Sequence, residues 1–337
     1  MVEQIEIVGG SSMFIGNAKE LLKKLLPKKR VIVISDSNID RTHRDILEPY
    51  ERIFVGLGEH AKGFATLEEV YRKLIDMGAD RSTFILGIGG GIVTDIAGFV
   101  ASTYMRGVEF GFITTTLLGA VDASIGGKNG VNIGGFKNMV GCFSQPKFII
   151  CDVTLLHSLN DREFRAGLAE VIKTAILGDK ELFEMLEQSS FKQLRQDDEL
   201  LKEVITRAAK VKASVVAADE REGGRRRILN LGHTIAHAIE KSTSKLTHGE
   251  AVAVGLSYIT NSALSQACIS KEDAERIQTI LAQYNFNTTL PVERRPIIKA
   301  IKGDKKRAGN SMRIILPTAI GAVEDRLVSF EELESIL

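Results

Sequence analysis

The 337-residue sequence predicts an α/β domain with a mainly parallel sheet, followed by a mainly α-helical domain, with the change near residue 152. Three observations predict this. Short apolar runs rich in β-branched residues recur up to that point, stretches of helical length separate several of them, and beyond it helical periodicity dominates. Apolar strands alternating with helices indicate a parallel sheet covered on both faces.

In chain order, residues 31–35, 53–55, 84–88, 112–115 and 148–151 read as strands. VIVIS, FILGI and FIIC among them are too apolar for a sheet with one face in water. Residues 66–77 and 92–105 read as the amphipathic helices between them. Beyond residue 152, residues 168–177, 200–217, 234–241, 250–267 and 271–284 repeat their apolar positions at helical spacing, and 312–316 reads as a last strand. The expected domains are therefore 1–152 and 153–337, with a cleft between them as the place for a ligand.

Composition narrows the class. The chain is 44% hydrophobic and 26% charged, which suits a globular protein with a sizeable core. Its net charge of +1 gives no strong field toward nucleic acid or a membrane. No apolar run reaches the roughly 18 to 20 residues of a spanning helix. The first residues, MVEQIEIVGG, carry acids where a secretion signal has a basic start and an apolar centre. Cys142, Cys151 and Cys268 are scattered and odd in number, which fits reduced thiols in the cytoplasm better than a disulfide framework.

Three stretches carry chemistry. GIGGG at 87–91 follows a strand and precedes a helix, where glycines let backbone N–H groups approach a phosphate. A tight strand-to-helix turn explains the same residues equally well. Asp36, in SDSNID, ends an early strand and can reach ribose hydroxyls or cap a helix. LGHTIAHAIEKSTSKLTHGEAVAVG at 231–255 holds three of the six histidines. His233 and His237 share a helix face and His248 follows before Gly249 and Glu250. Two imidazoles plus one carboxylate make a catalytic Zn²⁺ site with an open position. The carboxylate must come from elsewhere, and Glu170 in the apolar stretch AGLAEVIKTAI is a candidate, with Lys173 one turn on. A plain surface ion pair is the alternative for those two.

Six segments in order now carry a resemblance: GGGIVTDIAGFVASTYMRG, TTLLGAVDASIGGKNGVN, KNMVGCFSQP, AGLAEVIK, ADEREGGRRRILNLGHTIAH and HGEAVAVG. Together they resemble the 3-dehydroquinate synthase family of sugar phosphate cyclases over nearly the whole chain. The resemblance implies a dehydroquinate synthase-like fold, NAD bound between an α/β domain and a helical domain, and one Zn²⁺ or Co²⁺ held by Glu170, His233 and His248. His237 would then face the substrate and handle protons, and Glu250 would support the shell around the ligands. Asp36 and Asn38 would meet the adenosine ribose, with Glu59 and Lys62 nearby. Gly89, Gly90, Gly91 and Asp95 would hold the pyrophosphate region, and Thr115, Thr116 and Asp122 the nicotinamide end. Arg106, Lys128, Lys137, Asn138, Lys173, Lys212, Arg226, Asn230 and Lys305 or Lys306 would bind the anionic substrate, with Lys128 and Lys137 counted toward the cofactor as well.

The implied reaction belongs to the shikimate pathway of aromatic amino acid biosynthesis. It turns 3-deoxy-D-arabino-heptulosonate 7-phosphate into 3-dehydroquinate and phosphate by transient NAD oxidation, phosphate elimination, re-reduction and aldol closure. A cytoplasmic homodimer that binds neither nucleic acid nor membrane is implied with it. The chain departs from the family pattern at Thr94, Thr114, Asn129 and Ala236, and none of these removes a charged or metal-binding group. Three rivals stay open: a related cyclase acting on sedoheptulose 7-phosphate, an NAD- and metal-dependent polyol dehydrogenase, and a non-catalytic sensor that keeps the pocket.

Overall fold

A computed structural model describes residues 2–302, 307–308 and 311–337. It divides into two compact units, Met1–Asn160 with Lys212–Arg221, and Asp161–Val211 with Glu222–Leu337. No helix of the described residues is long and apolar enough to cross a membrane.

The first unit runs through β1 (Glu3–Glu6), β2 (Ser12–Ile15), α1 (Ala18–Leu25), β3 (Val31–Asp36), α2 (Ser37–Thr42), α3 (Arg44–Leu47), β4 (Glu51–Val55), α4 (Phe64–Asp76), β5 (Phe84–Gly89), α5 (Gly91–Thr103), β6 (Phe110–Thr114), β7 (Lys128–Ile133), β8 (Phe136–Phe143) and β9 (Phe148–Cys151). Seven of the strands make one sheet in the order β1-β2-β9-β6-β5-β3-β4. Only β1–β2 is antiparallel; every other pair is parallel. The central strands β5, β6 and β9 are buried at every residue, as their unbroken apolar runs require. Val33, Leu86, Ile113 and Ile150 from the sheet pack with Leu21 and Leu22 of α1 and Leu47 of α3. β7 and β8 form a separate antiparallel hairpin, and much of β8 faces solvent.

The sequence pattern changes at residue 152, but the first unit continues to Asn160. The 3-10 turn Val153–Ser158 stays with it because Leu155 joins the core and the His43 ring bonds to the Leu155 carbonyl at 3.2 Å and the Ser158 hydroxyl at 2.8 Å. Asp152 anchors the turn. Its carboxylate accepts from the Ala18 N–H at 2.8 Å and from the N–H and hydroxyl of Thr154 at 3.1 and 2.7 Å. Asp152→Ala strands a buried N–H at the start of α1, and we expect urea denaturation to show a loss of about 1–3 kcal/mol.

The second unit contains α6 (Asp161–Gly178), α7 (Lys180–Gln188), α8 (Phe191–Gln196), the start of α9 (Asp198–Ala218), α10 (His233–Ser242), α11 (His248–Ser265), α12 (Lys271–Gln283) and α13 (Arg294–Lys302). A three-stranded antiparallel sheet, β10 (Arg307–Ala308), β11 (Ser311–Ala319) and β12 (Ala322–Ser329), and a last helix α14 (Phe330–Ile336) complete it. The apolar piece read at 312–316 lies inside β11. Two glycines of α11 set its position. A Cβ on Gly249 would lie 2.0 Å from the Ala166 carbonyl oxygen, and one on Gly255 would lie 2.0 Å from that of Gly232. Helix α11 therefore touches the backbones of α6 and of the turn into α10, at points next to the histidines.

Candidate functional site

Glu170 lies in the middle of α6 and is fully buried, because the residues around it form the apolar face that packs the second unit. His233 opens α10 and His248 opens α11. The three offer one ligand atom each within 4.8 Å of one another. His248 Nε2 bonds to Glu170 Oε1 at 3.0 Å, and His233 Nε2 is 3.4 Å from the same oxygen.

The outer nitrogens are held as well. His233 Nδ1 donates to the Leu231 carbonyl at 3.0 Å, and His248 Nδ1 is 3.4 Å from Glu240 Oε1. These contacts hold both rings so that their Nε2 atoms face Glu170, as a partner on the outer nitrogen fixes an imidazole's tautomer and orientation. Lys173, only 1% exposed, sits 2.5 Å from Glu170 Oε2. Burial alone would raise the Glu170 pKa, but Lys173 and His233, followed by His248, hold it well below the usual carboxylate range. Burial lowers the His248 pKa, yet the carboxylates of Glu170 and Glu240 push it up to about 10. Two imidazoles and one carboxylate that converge in this way suit Zn²⁺ or Co²⁺.

His237 is half-buried, its ring edge-on to that of His233 at 5.3 Å between centroids. Arg226 is buried in the 3-10 turn Arg225–Asn230, and Asn230 donates to Glu222 at 2.8 Å. Glu250 is a helix cap. It closes a capping box with Thr247 at the start of α11 and pairs with Arg162 at 2.7 Å, so it supports His248 through the backbone.

The first unit holds the residues expected for the nucleotide. Gly89 ends β5, Gly90 caps α5 without a side-chain bond and Gly91 begins the helix, a backbone arrangement suited to a phosphate. A Cβ on Gly90 would meet the Thr116 methyl at 2.8 Å. Asp36 caps α2, accepting from the N–H groups of Asn38 at 2.8 Å and Ile39 at 3.2 Å; Asn38 in turn accepts from Arg41. The buried Lys62 pairs with the partly buried Asp95, and desolvation pushes the Asp95 pKa up to about 6 against the pull of Lys62. Lys62 also donates to Asn138 Oδ1.

Lys212 reaches Asp122, which lies in the π-helical turn Gly119–Ala123, at 2.7 Å. Thr115 donates its N–H to Gly89, and the Thr116 hydroxyl accepts from Gly119. Arg106, Lys128 and Lys137 are exposed, and Arg106 and Asn138 take left-handed backbones with φ of 69° and 51°. Asn129, one of the departures, is explained locally. Its amide donates to the carbonyls of Gly127 and Ser144 at the base of the hairpin, and it fills the space beside Gly98. Thr94 bonds back to Gly91. Lys305 and Lys306 lie outside the described residues.

The family profile described as 3-dehydroquinate synthase N-terminal matches residues 52–166, and the one described as C-terminal matches residues 167–307. The chain belongs to the 3-dehydroquinate synthase family. A 3-dehydroquinate synthase from Thermodesulfovibrio yellowstonii is 38% identical over 99% of this chain and 96% of its own length. Among solved structures, a 2-epi-5-epi-valiolone synthase from Streptomyces hygroscopicus subsp. jinggangensis 5008, with NAD⁺ and Zn²⁺ bound, aligns with a TM-score of 0.87 at 27% identity over 100% of this chain and 98% of that one. A 2-deoxy-scyllo-inosose synthase complexed with carbaglucose-6-phosphate, NAD⁺ and Co²⁺ shares the fold at a TM-score of 0.89 and 24% identity, over 100% and 99% of the two chains.

For a 3-dehydroquinate synthase family member, two residues of the site escaped the sequence reading. Glu240 stands seven residues after His233, on the same helix face, a spacing that could have flagged it. Asn132, at the end of the GGKNGVN segment, bonds to Glu59 and Asn138; nothing in its spacing announces that.

Proposed function

We propose that this chain converts 3-deoxy-D-arabino-heptulosonate 7-phosphate into 3-dehydroquinate and inorganic phosphate, with NAD and one divalent cation as cofactors. The observation that carries the reading is the Glu170–His233–His248 cluster, with Glu170 and His233 buried and His248 partly so, in a chain whose family match runs through both halves. When bound, NAD supplies a reversible hydride acceptor and the cation a Lewis acid that acidifies a hydroxyl.

The chain's own residues do the rest. Glu170, His233 and His248 hold the cation, and Leu231 and Glu240 orient the two imidazoles. His237 carries protons, which an imidazole suits near neutral pH. In the second unit Lys173, Arg226 and Asn230 take the substrate's charged and hydroxyl groups; in the first unit Arg106, Lys128, Lys137, Asn138 and Lys212 do so. Arginine binds planar anions in bidentate fashion and lysine acts as a point charge. Asp36 and Asn38 serve the adenosine ribose, and Glu59 and Lys62 lie beside them. Gly89, Gly90, Gly91 and Asp95 serve the pyrophosphate, and Thr115, Thr116 and Asp122 the nicotinamide. Charges fixed in place before the substrate arrives need no reorganisation during the reaction. Family membership supports a homodimer, which light scattering after size exclusion would check, and three cysteines outside any disulfide fit the cytoplasm.

The test is phosphate release by the metal-loaded protein with catalytic NAD. With the heptulosonate phosphate we expect many phosphates per NAD and no accumulation of NADH, and we expect His248→Ala to abolish turnover. Turnover of sedoheptulose 7-phosphate instead would overturn the substrate and keep the metal site. NADH accumulating with simple polyols would replace the reading with a dehydrogenase, and silence with intact cofactor binding would favour a sensor.

A further inference from the structure

We propose that Asn132 is a positioning residue that fixes the substrate-side Asn138 to the nucleotide-side turn carrying Glu59 and Lys62. The proposal rests on the reading of those three residues given above. Asn132 sits near the end of β7 and makes contacts in two directions. Toward the turn, its backbone N–H donates to the Lys62 carbonyl at 2.7 Å, and its Nδ2 donates to Glu59 Oε1 at 2.8 Å. Toward β8, its Oδ1 accepts from the Asn138 N–H at 2.8 Å. The partners fix the amide's orientation, since a carboxylate only accepts and a backbone N–H only donates.

The bonds close a ring. Lys62 bonds through its backbone to Asn132, Asn132 through its side chain to the Asn138 backbone, and Asn138 through its side chain back to the Lys62 ammonium. Lys62 passes the connection on to Asp95 in α5, the helix that starts at Gly91. The ring also fixes the backbone at Asn138. Asn138 is exposed and holds a φ of 51°, in the left-handed region that asparagine enters more readily than other side chains. Asn132 holds it there by taking the Asn138 N–H. Without Asn132 the backbone at 138 is free to relax, its side chain swings off Lys62, and Glu59 loses the amide that orients it. Nucleotide and substrate binding then weaken together, although Asn132 touches neither ligand.

Asn132→Ala and Asn132→Asp separate the two arms. Alanine removes both. Aspartate keeps the acceptor for the Asn138 N–H but sets a carboxylate against Glu59. We expect Asn132→Ala to raise the Kd for NAD and the KM for the heptulosonate phosphate each by about tenfold, the effect of one hydrogen bond to a charged group, with kcat changed less. Asn132→Asp should raise the NAD Kd by as much or more, and leave KM near wild type at saturating NAD. Both constants within twofold of wild type in Asn132→Ala would overturn the proposal. So would equal losses in the two variants that track a lowered melting temperature, the mark of a merely structural residue. Glu59→Gln and Asn138→Ala are run beside them. If those move the NAD Kd and KM while Asn132→Ala does not, Asn132 alone is misassigned. If they too are silent, the underlying assignment of Glu59 and Asn138 fails and the proposal falls with it.

Discussion

Replacing Glu170 by glutamine should cost the protein both its metal and a large part of its stability, by two separable routes. Glu170 is fully buried, and its two oxygens do different work. Oε1 meets His248 and His233, and Oε2 meets the Lys173 ammonium at 2.5 Å. The amide keeps the shape and removes the charge. On the metal side, a neutral amide is a far weaker ligand beside two imidazoles, so chelator competition should show the cation lost. The several kcal/mol of charge stabilisation a bound cation supplies then disappear, and phosphate release should fall by about 10³-fold or more. On the stability side, taking one partner from a buried ion pair leaves an ammonium in low dielectric, with a typical cost of about 3–5 kcal/mol. Lys173→Met in the same chain removes the ammonium as well. The double variant should regain much of the lost stability in urea melts carried out with chelator, and none of the activity. Equal stability for Glu170→Gln and the wild type in chelator would show that Lys173 does not depend on this carboxylate.

The same pair shows what a sequence can and cannot say. Glu170 and Lys173 stand out because charge in AGLAEVIKTAI is conspicuous, yet the residues alone leave a surface ion pair open. Only packing puts α6 at the centre of the second unit and decides for burial. The sheet was legible where burial forces unbroken apolar runs, as in β3, β5, β6 and β9. β1 and β2 escaped because they are short and only partly buried, so neither carries the unbroken apolar run that marks the equally short β9. β12, AVEDRLVS, escaped because its ladder pairing with β11, not its side chains, makes it a strand. The hairpin β7–β8 escaped because glycines and polar residues dominate it and leave no apolar alternation to read. The histidines were legible as a cluster, and their division into ligands and proton carrier came from family resemblance. Glu240 and Asn132 act through contacts made across elements, which one chain read end to end does not display. The same holds for Lys212–Arg221, which fold with the first unit because Lys212 meets Asp122 and Gln145 meets Glu220.

The geometry of the proposed metal site depends as much on one absent side chain as on Glu170, His233 and His248. Gly249 follows His248, and Ala166 precedes Glu170 by one helical turn. A methyl group at position 249 would lie 2.0 Å from the Ala166 oxygen, 2.5 Å from its Cα and 2.6 Å from its carbonyl carbon. All three are backbone atoms of α6, so no rotamer change relieves the clash. Reaching an ordinary contact of about 3.5 Å means parting the helices by roughly 1.5 Å. The His248 Nε2–Glu170 Oε1 distance of 3.0 Å would open with them, because both ligands sit within a turn of the contact. Ligand geometry tolerates displacements of only about 0.5 Å. Gly249→Ala should therefore weaken Zn²⁺ or Co²⁺ binding by more than about 10²-fold, the scale set by misplacements of 1 Å. Its stability cost should be that of overpacking a tight core, about 1–3 kcal/mol. The two effects have different signatures. Chelator competition reads the first, and melting in excess chelator reads the second without the metal's contribution. A variant that melts lower but binds metal as tightly as wild type would mean that α10 and α11 move as one body with the site. Intact binding and intact stability together would mean that the helices do not approach so closely. Alanine at 249 adds no charge, removes no ligand and is a better helix former than glycine, so any loss it causes measures the geometry alone.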